Sequence, residues 1–341
     1  MLAAHYLGDR TIRVVQAEAT PLRPGEARID VAYAGICGTD LHIFHGAMDA
    51  RVRVPATIGH EMAGTISAIA DDVIGWAVGE KVTVMPLDWD GTCPACLAGH
   101  HHICQNLNFI GIDSPGALQQ QWNVPSGVLV KVPDGVRLDH AALVEPVAVA
   151  VHDVRRSELS HGDRAVVIGA GPIGVLIASV AAAAGAEVVV IELDPSRRAT
   201  AEALGLRTLD PRASDQIEWV DAWTAGAGAD VVFEVSGSAA GVLGATGLAK
   251  VRGTVVVVAI HSQPRPLDLH RIFWRELRIL GARVYEREDF EKAVSLIAEG
   301  AIPADALITA IVPMSDVGAA FETLERSEAM KILVDVAGSS L

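Results

Sequence analysis

The chain has 341 residues, half of them hydrophobic, and its 27 basic and 42 acidic residues give a net charge of −15. This length predicts two domains, and the apolar content favours sizeable cores over long disordered stretches. The negative charge argues against partners such as nucleic acid or anionic membranes, because both require a basic surface. Four cysteines are too few for a disulfide scaffold in a chain of this length.

Residues 165–186 contain no charged side chain and are long enough to span a bilayer. Glycines and a proline interrupt this stretch, so a strand, a turn and an alanine-rich helix explain it better. Residues 1–20 lack a signal-peptide pattern, because Asp9 and Arg10 interrupt the stretch and no long apolar run follows a basic start. We therefore expect a cytoplasmic protein without a membrane partner.

The first 150 residues have the pattern of a β-rich domain. Short runs with strand-like composition, separated by glycine and proline, predict strands at residues 28–33, 65–69, 81–85 and 128–132. Between them, residues 88–108 contain three cysteines and three consecutive histidines. We interpret this segment as a lobe that something other than an apolar core holds together.

After Pro146 the pattern changes to an alternation of helices and strands. A helix is predicted at 147–156, and strands at 164–168, 187–191, 230–235, 254–260 and 277–282 alternate with helices at 173–184, 196–204 and 239–250. Apolar strands in such an alternation predict a parallel sheet that is covered on both faces. From about Tyr285 the sequence predicts one more helix, at 289–299, and then mixed segments.

A glycine-rich turn follows the first of these strands and opens a helix. Its candidate cofactor-binding residues are Gly169, Gly171, Pro172, Ile173 and Gly174. In this context the first glycine allows a tight turn, the second lets a pyrophosphate approach the backbone, and the third lets the helix pack on the strand. The turn is therefore typical of dinucleotide binding, although a glycine-rich turn without a ligand is the simpler alternative.

An acidic residue lies where the adenosine ribose of a dinucleotide would be held. Glu192 ends the next strand, 23 positions after Gly169. A carboxylate repels a 2′-phosphate, so we predict NAD rather than NADP as the cofactor. Arg197 and Arg198 lie nearby and weaken this preference, and Arg197 is itself a candidate cofactor-binding residue. The alternative interpretation of Glu192 is an ordinary surface glutamate.

The cysteine-rich lobe predicts a structural zinc site. Two residues separate Cys93 from Cys96, seven separate Cys96 from Cys104, and Asp90 precedes Cys93 by the same short spacing. Zinc prefers four ligands in a tetrahedron, so these four residues could close around one ion, with an oxygen replacing one sulfur. Three free cysteines are the alternative, and the histidines at 100–102 are rival ligands that fit a solvated surface better.

A second set of residues suits an open catalytic zinc. Cys37 supplies a thiol, His60 an imidazole, and Glu61 and Glu145 supply carboxylates. A catalytic zinc typically has such ligands and one position left for water or substrate. Taken singly, Cys37 is more typical of a buried core thiol and His60 of a hydrogen-bonded histidine. Their occurrence beside a dinucleotide turn favours the metal site.

The whole chain resembles the zinc-dependent medium-chain dehydrogenase/reductase family, and within it the sorbitol (polyol) and threonine dehydrogenase branch. The motifs that carry the resemblance are Cys37-Gly38-Thr39-Asp40-Leu41-His42, Gly59-His60-Glu61, the cysteine lobe, Glu145-Pro146 and Gly169–Gly174. The resemblance implies a GroES-like β-rich catalytic domain at residues 1–150 and 286–341, with a structural zinc lobe at 88–108. It also implies a Rossmann domain with a doubly wound parallel sheet, which binds NAD, at residues 151–285.

The resemblance also implies roles for the first set of residues. Cys37 and His60 match the ligands of the catalytic zinc, and Glu61 and Glu145 match acidic positions that bind it directly or through water. Thr39 and His42 match catalytic positions that relay the alcohol proton to solvent. Asp40 matches an acid that steadies the zinc-binding histidine. Asp90 departs from the family, which normally has a cysteine at this position of the lobe.

The implied reaction is the oxidation of a secondary alcohol of a polyol or sugar alcohol to a ketone, with hydride transfer to NAD. L-threonine 3-dehydrogenase and butanediol dehydrogenase activities are alternatives, because family analogy is the only basis for preferring polyols. A non-enzymatic structural role is an alternative of a different class. Polyol-type relatives also imply a homo-oligomer, either a dimer or a tetramer.

Overall fold

A computed structural model describes residues 1–338. The chain divides into two compact units. Unit 1 consists of residues 1–145, 286–300 and the chain from 304 onward, and unit 2 consists of residues 146–285 and 301–303. The catalytic domain expected from the sequence extends to residue 341, and its last three positions lie outside the described residues.

The first part of unit 1 contains mostly strands. These are β1 (Leu2–Tyr6), β2 (Ile12–Gln16), β3 (Glu26–Gly35), β4 (Ala56–Thr57), β5 (Glu61–Ile69), β6 (Lys81–Val84), β7 (Leu87–Asp88), β8 (Asn108–Phe109), β9 (Gln121–Pro125) and β10 (Leu129–Lys131). The helices between them are α1 (Gly38–Phe44), α2 (Pro94–Leu97) and α3 (Leu138–Ala141). The lobe at 88–108 thus contains only α2, a short 3₁₀ turn and part of a two-stranded ribbon.

Helices and strands then alternate through unit 2. They are α4 (Val144–Ser157), β11 (Arg164–Ile168), α5 (Pro172–Ala183), β12 (Glu187–Ile191), α6 (Pro195–Ala203), β13 (Arg207–Leu209), α7 (Gln216–Trp223), β14 (Ala229–Glu234), α8 (Ala239–Leu248), β15 (Ala249–Val257), α9 (Leu269–Arg275) and β16 (Arg278–Gly281). Strands β11 and β12 have the predicted bounds. The sequence did not predict α7, α9 or β13, which are only eight, seven and three residues long.

The end of the chain returns to unit 1. Its elements are α10 (Arg287–Ala298), α11 (Ala304–Leu307), β17 (Ile308–Pro313), α12 (Val317–Glu325) and β18 (Lys331–Asp335). Only α10 was predicted from the sequence. The parallel pair β17 and β18 joins the main sheet of unit 1, with β18 antiparallel to β3. This pairing links the last strand to residues that precede it by about 300 positions.

Unit 1 is built on a sheet with the strand order β10-β6-β5-β3-β18-β17, in which β9 also pairs with β3. Along β3 the side chains of Ala27, Ile29 and Val31 are buried, whereas Asp30 is exposed. This alternation is typical of a strand with one face on a core. The register pairs Gly35 at the end of β3 with Glu61 at the start of β5.

Unit 2 is a six-stranded parallel sheet with the order β13-β12-β11-β14-β15-β16. This order reverses at β11, as in doubly wound dinucleotide-binding sheets. The strands bury Val166, Val189, Val232 and Val255 in one apolar cluster, which explains their nearly continuous hydrophobic sequence. The predicted fold class, a β-rich unit combined with a doubly wound parallel sheet, is confirmed.

The uncharged stretch 165–186 forms β11, the glycine turn and α5. Within residues 1–338, none of the helices combines the length and the apolar character that crossing a bilayer requires.

The glycine turn yields a matched stability test. A Cβ added to Gly174 would lie 2.0 Å from the carbonyl oxygen of Gly169, whereas one added to Gly171 would meet no atom within 4 Å. We expect Gly174→Ala to lower the free energy of unfolding by about 1–3 kcal/mol, because backbone must move to admit the methyl group. Gly171→Ala, the control, should leave it nearly unchanged in urea titrations. Equal effects of the two variants would contradict this packing.

Candidate active site

The sheet of unit 1 brings three distant segments to one end. The register places Gly35 opposite Glu61 on β5 and opposite Leu333 on β18. Cys37 follows β3 by two residues, His60 immediately precedes β5, and Lys331 begins β18. The main-chain pairing therefore positions a thiol, an imidazole and an ammonium group close together.

Asp40 connects the two principal candidate ligands. It lies in the first turn of α1, and its Oδ2 accepts a hydrogen bond of 2.9 Å from the backbone N–H of Cys37. Its Oδ1 lies 3.6 Å from Nδ1 of His60. Both side chains are buried, and the His60 and Phe109 rings pack in a T-shaped arrangement at a centroid distance of 5.2 Å. Asp40 thus orients the Cys37 backbone and faces the His60 ring.

The electrostatics of this cluster favour a bound cation. Burial raises the pKa of Asp40. Burial alone lowers the pKa of His60, but Asp40, a hydrogen bond to Cys37 and the charge of Glu145 outweigh it and raise that pKa well above its usual value. Nδ1 of His60, the ring nitrogen nearest the Asp40 carboxylate, has no hydrogen-bond partner within residues 1–338. Cys37, His60 and Glu145 are residue types that zinc binds. Among residues 1–338, however, only the four lobe residues bring their ligand atoms close enough together to hold one metal ion, so the structure does not gather Cys37, His60 and Glu145 around one point.

Lys331 also belongs to this cluster, although no motif in the sequence indicates it. Its Nζ donates hydrogen bonds of 2.7 and 2.6 Å to the two carboxylate oxygens of Glu61, and one of 3.1 Å to the carbonyl of Ile36. Burial lowers the pKa of Lys331, but the charges of Glu61, Cys37 and Glu145 outweigh it and raise that pKa. The only local signal was a lysine at the head of an apolar strand.

The same contact explains why Gly35 is glycine. A Cβ at Gly35 would lie 2.2 Å from Oε2 of Glu61. The Glu61 carboxylate therefore occupies the space opposite this residue and is turned towards Lys331. Glu145, in the first turn of α4, is also buried, and it is near enough to raise the pKa of both His60 and Lys331.

The two predicted proton-relay residues lie on α1. Thr39 is half-buried and His42 is exposed. Residues three apart on a helix share a face, so Thr39 and His42 form a polar line from the partly buried start of α1 towards solvent. This placement suits a relay of protons.

The structure brings all four predicted lobe residues together. The ligand atoms of Asp90, Cys93, Cys96 and Cys104 lie within 4.8 Å of one another. The sulfurs of Cys93 and Cys104 are 3.8 Å apart and the cysteines are free, so no disulfide joins them. Zn–S bonds of about 2.3 Å in a tetrahedron separate two sulfurs by about 3.8 Å. The lobe therefore has the geometry of a structural zinc site.

Asp90 is oriented and ionised in this lobe. Its Oδ1 accepts hydrogen bonds from the backbone N–H groups of Thr92 at 2.8 Å and Cys93 at 3.0 Å, and Oδ2 accepts one of 2.6 Å from Asn106. The Asn106 amide and these N–H groups hold the pKa of Asp90 well below its usual range. The carboxylate can thus supply the negative charge of a missing thiolate. The histidines at 100–102 lie outside this cluster.

In unit 2, Glu192 lies directly beside the glycine turn. Its Oε2 accepts a 2.7 Å hydrogen bond from the backbone N–H of Ala170, and its Oε1 accepts one of 2.8 Å from the backbone N–H of Asp194. The turn itself has the expected form, with Gly169 at φ +108° and α5 beginning at Pro172. The predicted acid and the predicted turn are therefore adjacent.

The basic residues near Glu192 are engaged with other groups. Arg198 forms an ion pair of 3.0 Å with Asp210 and donates 2.8 Å hydrogen bonds to the carbonyls of Glu192 and Leu193. Arg212 bonds the same aspartate. Arg197 is half-buried in the first turn of α6, where Asp194 caps its backbone N–H. Asp210 thus already neutralises part of the positive charge that a 2′-phosphate would need.

The Lys331–Glu61 pair predicts a large stability effect. We expect Lys331→Met to lower the free energy of unfolding by about 3–5 kcal/mol, because it leaves the buried Glu61 carboxylate without its counter-charge. The double variant Lys331→Met/Glu61→Gln removes both charges and should recover most of this loss. Chemical unfolding of the three proteins provides the measurement. A single variant as stable as the double variant would contradict a charged buried pair.

Two family models match the chain. The model described as "Alcohol dehydrogenase GroES-like domain" matches residues 23–134, and the one described as "Zinc-binding dehydrogenase" matches residues 172–299. The first covers the site around Cys37 and His60 together with the cysteine lobe. The second begins at Pro172 in the glycine turn.

Full-length relatives match as well. The chain is 51% identical over 336 residues, 98% of each chain, to a 2-dehydro-3-deoxy-L-galactonate 5-dehydrogenase of Pseudoalteromonas atlantica. It is 33% identical over 298 residues, 87% of each chain, to an L-galactonate-5-dehydrogenase of Escherichia coli. A zinc-binding dehydrogenase of Sinorhizobium meliloti, solved bound to NADP, superposes with a TM-score of 0.91 at 31% identity over 98% of each chain. The chain therefore belongs to the zinc-dependent medium-chain dehydrogenase/reductase family, and it is a dehydrogenase that uses zinc and a nicotinamide cofactor to oxidise a secondary alcohol.

Proposed function

We propose that this enzyme oxidises the C5 hydroxyl of a 2-dehydro-3-deoxy sugar acid to a ketone, with NAD as the hydride acceptor. The observation that carries the substrate is the relative with 51% identity over 98% of both chains, whose name describes this reaction. The sequence favoured neutral polyols on family analogy alone. A sugar acid retains the secondary alcohol and adds a carboxylate, which the protein must recognise.

The catalytic zinc has three proposed ligands: Cys37, His60 and Glu145. Glu145 is preferred to Glu61, because both oxygens of Glu61 accept hydrogen bonds from Lys331. Glu61 then serves mainly to balance the buried ammonium, and this pairing makes it a weaker ligand for a second cation. Asp40 faces Nδ1 of His60 and thereby orients the ring, so that Nε2 remains available to the metal.

The protein residues have distinct tasks in the reaction. When bound, zinc would act as a Lewis acid and lower the pKa of the substrate alcohol. The nicotinamide cofactor would supply the acceptor for the hydride that leaves C5. Thr39 takes the hydroxyl proton and His42 passes it from the exposed side of α1 to solvent. The C5–H bond breaks with its electron pair and the O–H bond loses its proton, which leaves the C5 ketone.

NAD is favoured over NADP by the charges at the end of β12. Glu192 presents a carboxylate beside the turn, and Arg198 is already paired with Asp210. A 2′-phosphate would therefore meet the negative charge of Glu192, and the charge of Arg198 is already balanced by Asp210. The NADP-bound relative makes comparison of kcat/KM for the two cofactors an essential part of the substrate experiment.

Arg53 is the proposed partner of the substrate carboxylate. Of the two arginines after α1, Arg51 is engaged, since its guanidinium donates two 2.6 Å hydrogen bonds to Asp113. Arg53 is exposed and forms no ion pair with residues 1–338. The Arg51–Asp113 pair ties the segment after α1 to the loop that begins at Phe109, whose ring contacts His60. Arg53 is thus held on a segment anchored beside the metal site.

Two further features belong to the proposal. The lobe binds a second zinc through Asp90, Cys93, Cys96 and Cys104, and the reduced cysteines suit a cytoplasmic location.

The enzyme also forms a homo-oligomer. Its support is an exposed apolar patch on α9, formed by Leu269, Phe273 and Trp274.

The substrate proposal predicts a clear order of activities. We expect kcat/KM for 2-dehydro-3-deoxy-L-galactonate with NAD to exceed that for sorbitol, xylitol, butane-2,3-diol and threonine, and to exceed that with NADP. Arg53→Ala should raise KM for the sugar acid about tenfold or more, because a charged hydrogen bond is lost, while KM for butanediol stays unchanged. Arg23→Ala, another exposed arginine of unit 1, is the control. A higher kcat/KM for a neutral polyol would contradict the proposal.

Metal analysis tests the two-zinc arrangement. After dialysis, the wild-type chain should retain about two zinc ions and Asp90→Ala about one, because three thiolates close a structural site incompletely. Asp90→Cys, which supplies the ligand that zinc prefers, should restore two. A wild-type chain with one zinc that Asp90→Ala does not change would show that other forces hold the lobe.

A further inference from the structure

Glu234 is a buried carboxylate in unit 2 to which neither the reaction nor the glycine turn assigns a role. It ends β14 and is 0% exposed. Its Oε1 accepts hydrogen bonds from the Ser236 hydroxyl at 2.6 Å and from the backbone N–H groups of Ser236 and Gly237, both at 3.1 Å. These donors hold the loop after β14 and satisfy one carboxylate oxygen.

The other oxygen faces a histidine from the next strand connection. Oε2 of Glu234 lies 3.1 Å from Nε2 of His261, which follows β15. The His261 side chain is 14% exposed. Its second ring nitrogen, Nδ1, is buried and has no hydrogen-bond partner within residues 1–338. Buried polar atoms are normally paired, so an unpaired ring nitrogen indicates a missing partner.

The position of this pair in the sheet indicates what the partner is. Ligands of doubly wound sheets bind at the carboxyl ends of the strands, where both residues lie. The loop after β14 also touches the glycine turn, since a Cβ on Gly169 would lie 3.2 Å from Cα of Ser236. A cavity of about 450 Å³ adjoins the pair, lined by Val242, Val257 and side chains between 261 and 267.

The topology separates the two halves of a dinucleotide. Strands β11 to β13 form one half of the sheet, and Glu192 at the end of β12 marks the place of the adenosine ribose. Strands β14 to β16 form the other half, which receives the second nucleoside. His261 follows β15, so it belongs to the half that binds the nicotinamide nucleoside.

We propose that Nδ1 of His261 accepts a hydrogen bond from the nicotinamide nucleoside, either from a ribose hydroxyl or from the carboxamide N–H. Glu234 is the positioning residue. By accepting the proton on Nε2, it fixes the tautomer in which Nδ1 carries a lone pair. Nδ1 is buried in this structure and residues 262–266 are exposed, so we expect a ligand to reach this nitrogen when that segment shifts. This inference rests on the proposed use of a nicotinamide cofactor.

Two substitutions separate cofactor binding from a structural role. His261→Gln keeps a polar group near Nε2, opposite Glu234, and removes Nδ1, whereas His261→Asn keeps one near Nδ1 and removes Nε2. We expect the NADH affinity of the zinc-loaded full chain to fall about tenfold in His261→Gln and less in His261→Asn. The affinity for ADP, which contains only the adenosine half, should be unchanged in both variants, and the Tm should be unchanged in His261→Gln. His261→Asn should lower the Tm, because it leaves Oε2 of the buried Glu234 without its partner. Fluorescence titration and calorimetry give these values.

The outcomes are distinct. If His261 only supports Glu234, His261→Gln will bind NADH as tightly as the wild type, or both variants will lose Tm and ADP affinity together; either result overturns the proposal. The analogue of NADH with a 3-acetylpyridine ring lacks the carboxamide N–H. If His261→Gln lowers the affinity for this analogue as well, the donor is a ribose hydroxyl. If the affinity for the analogue is unchanged, the donor is the carboxamide N–H. A wild-type chain that binds neither NADH nor NADPH would instead overturn the proposed cofactor, and this inference with it.

Discussion

The buried carboxylate of Asp40 makes the contacts on which the proposed catalytic site depends. It holds the backbone of Cys37 and faces the ring of His60, so two side chains separated by 22 residues of sequence share one fixed reference point. The sheet supplies the rest of the geometry through the pairing of β3 with β5. Hydrogen bonds and strand pairing thus hold the proposed metal ligands in position in advance. The ligands therefore need little reorganisation when the ion binds.

The buried groups around Asp40 include more acidic than basic side chains. Asp40, Glu61 and Glu145 are all buried, and Lys331 is the permanent cation among them. Lys331 compensates Glu61 directly, which leaves the thiol of Cys37 and the remaining carboxylates to attract a second cation. The raised pKa of His60 expresses the same excess of negative charge, because a proton there is stabilised when no metal competes for the site.

Local sequence patterns predicted the parts of the molecule that are local in the chain. The glycine turn, the strand β11 before it and the lobe around Cys93 each lie within a few residues, so spacing alone indicates their geometry. Lys331 escaped prediction because its partner Glu61 lies 270 residues away, and only the pairing of β18 with β3 reveals it. Glu234 and His261 belong to consecutive strand connections, and no sequence spacing signals their contact. Substrate choice depends on exposed side chains such as Arg53, which follow no periodicity.

The central claim, that Cys37 and His60 hold one zinc ion in the active enzyme, is tested most directly by anomalous diffraction at the zinc edge from crystals of catalytically active protein. The account predicts a peak bonded to Sγ of Cys37 and Nε2 of His60, separate from the peak in the lobe at Cys93. An active crystal with zinc in the lobe alone, and no peak beside Cys37, would contradict it.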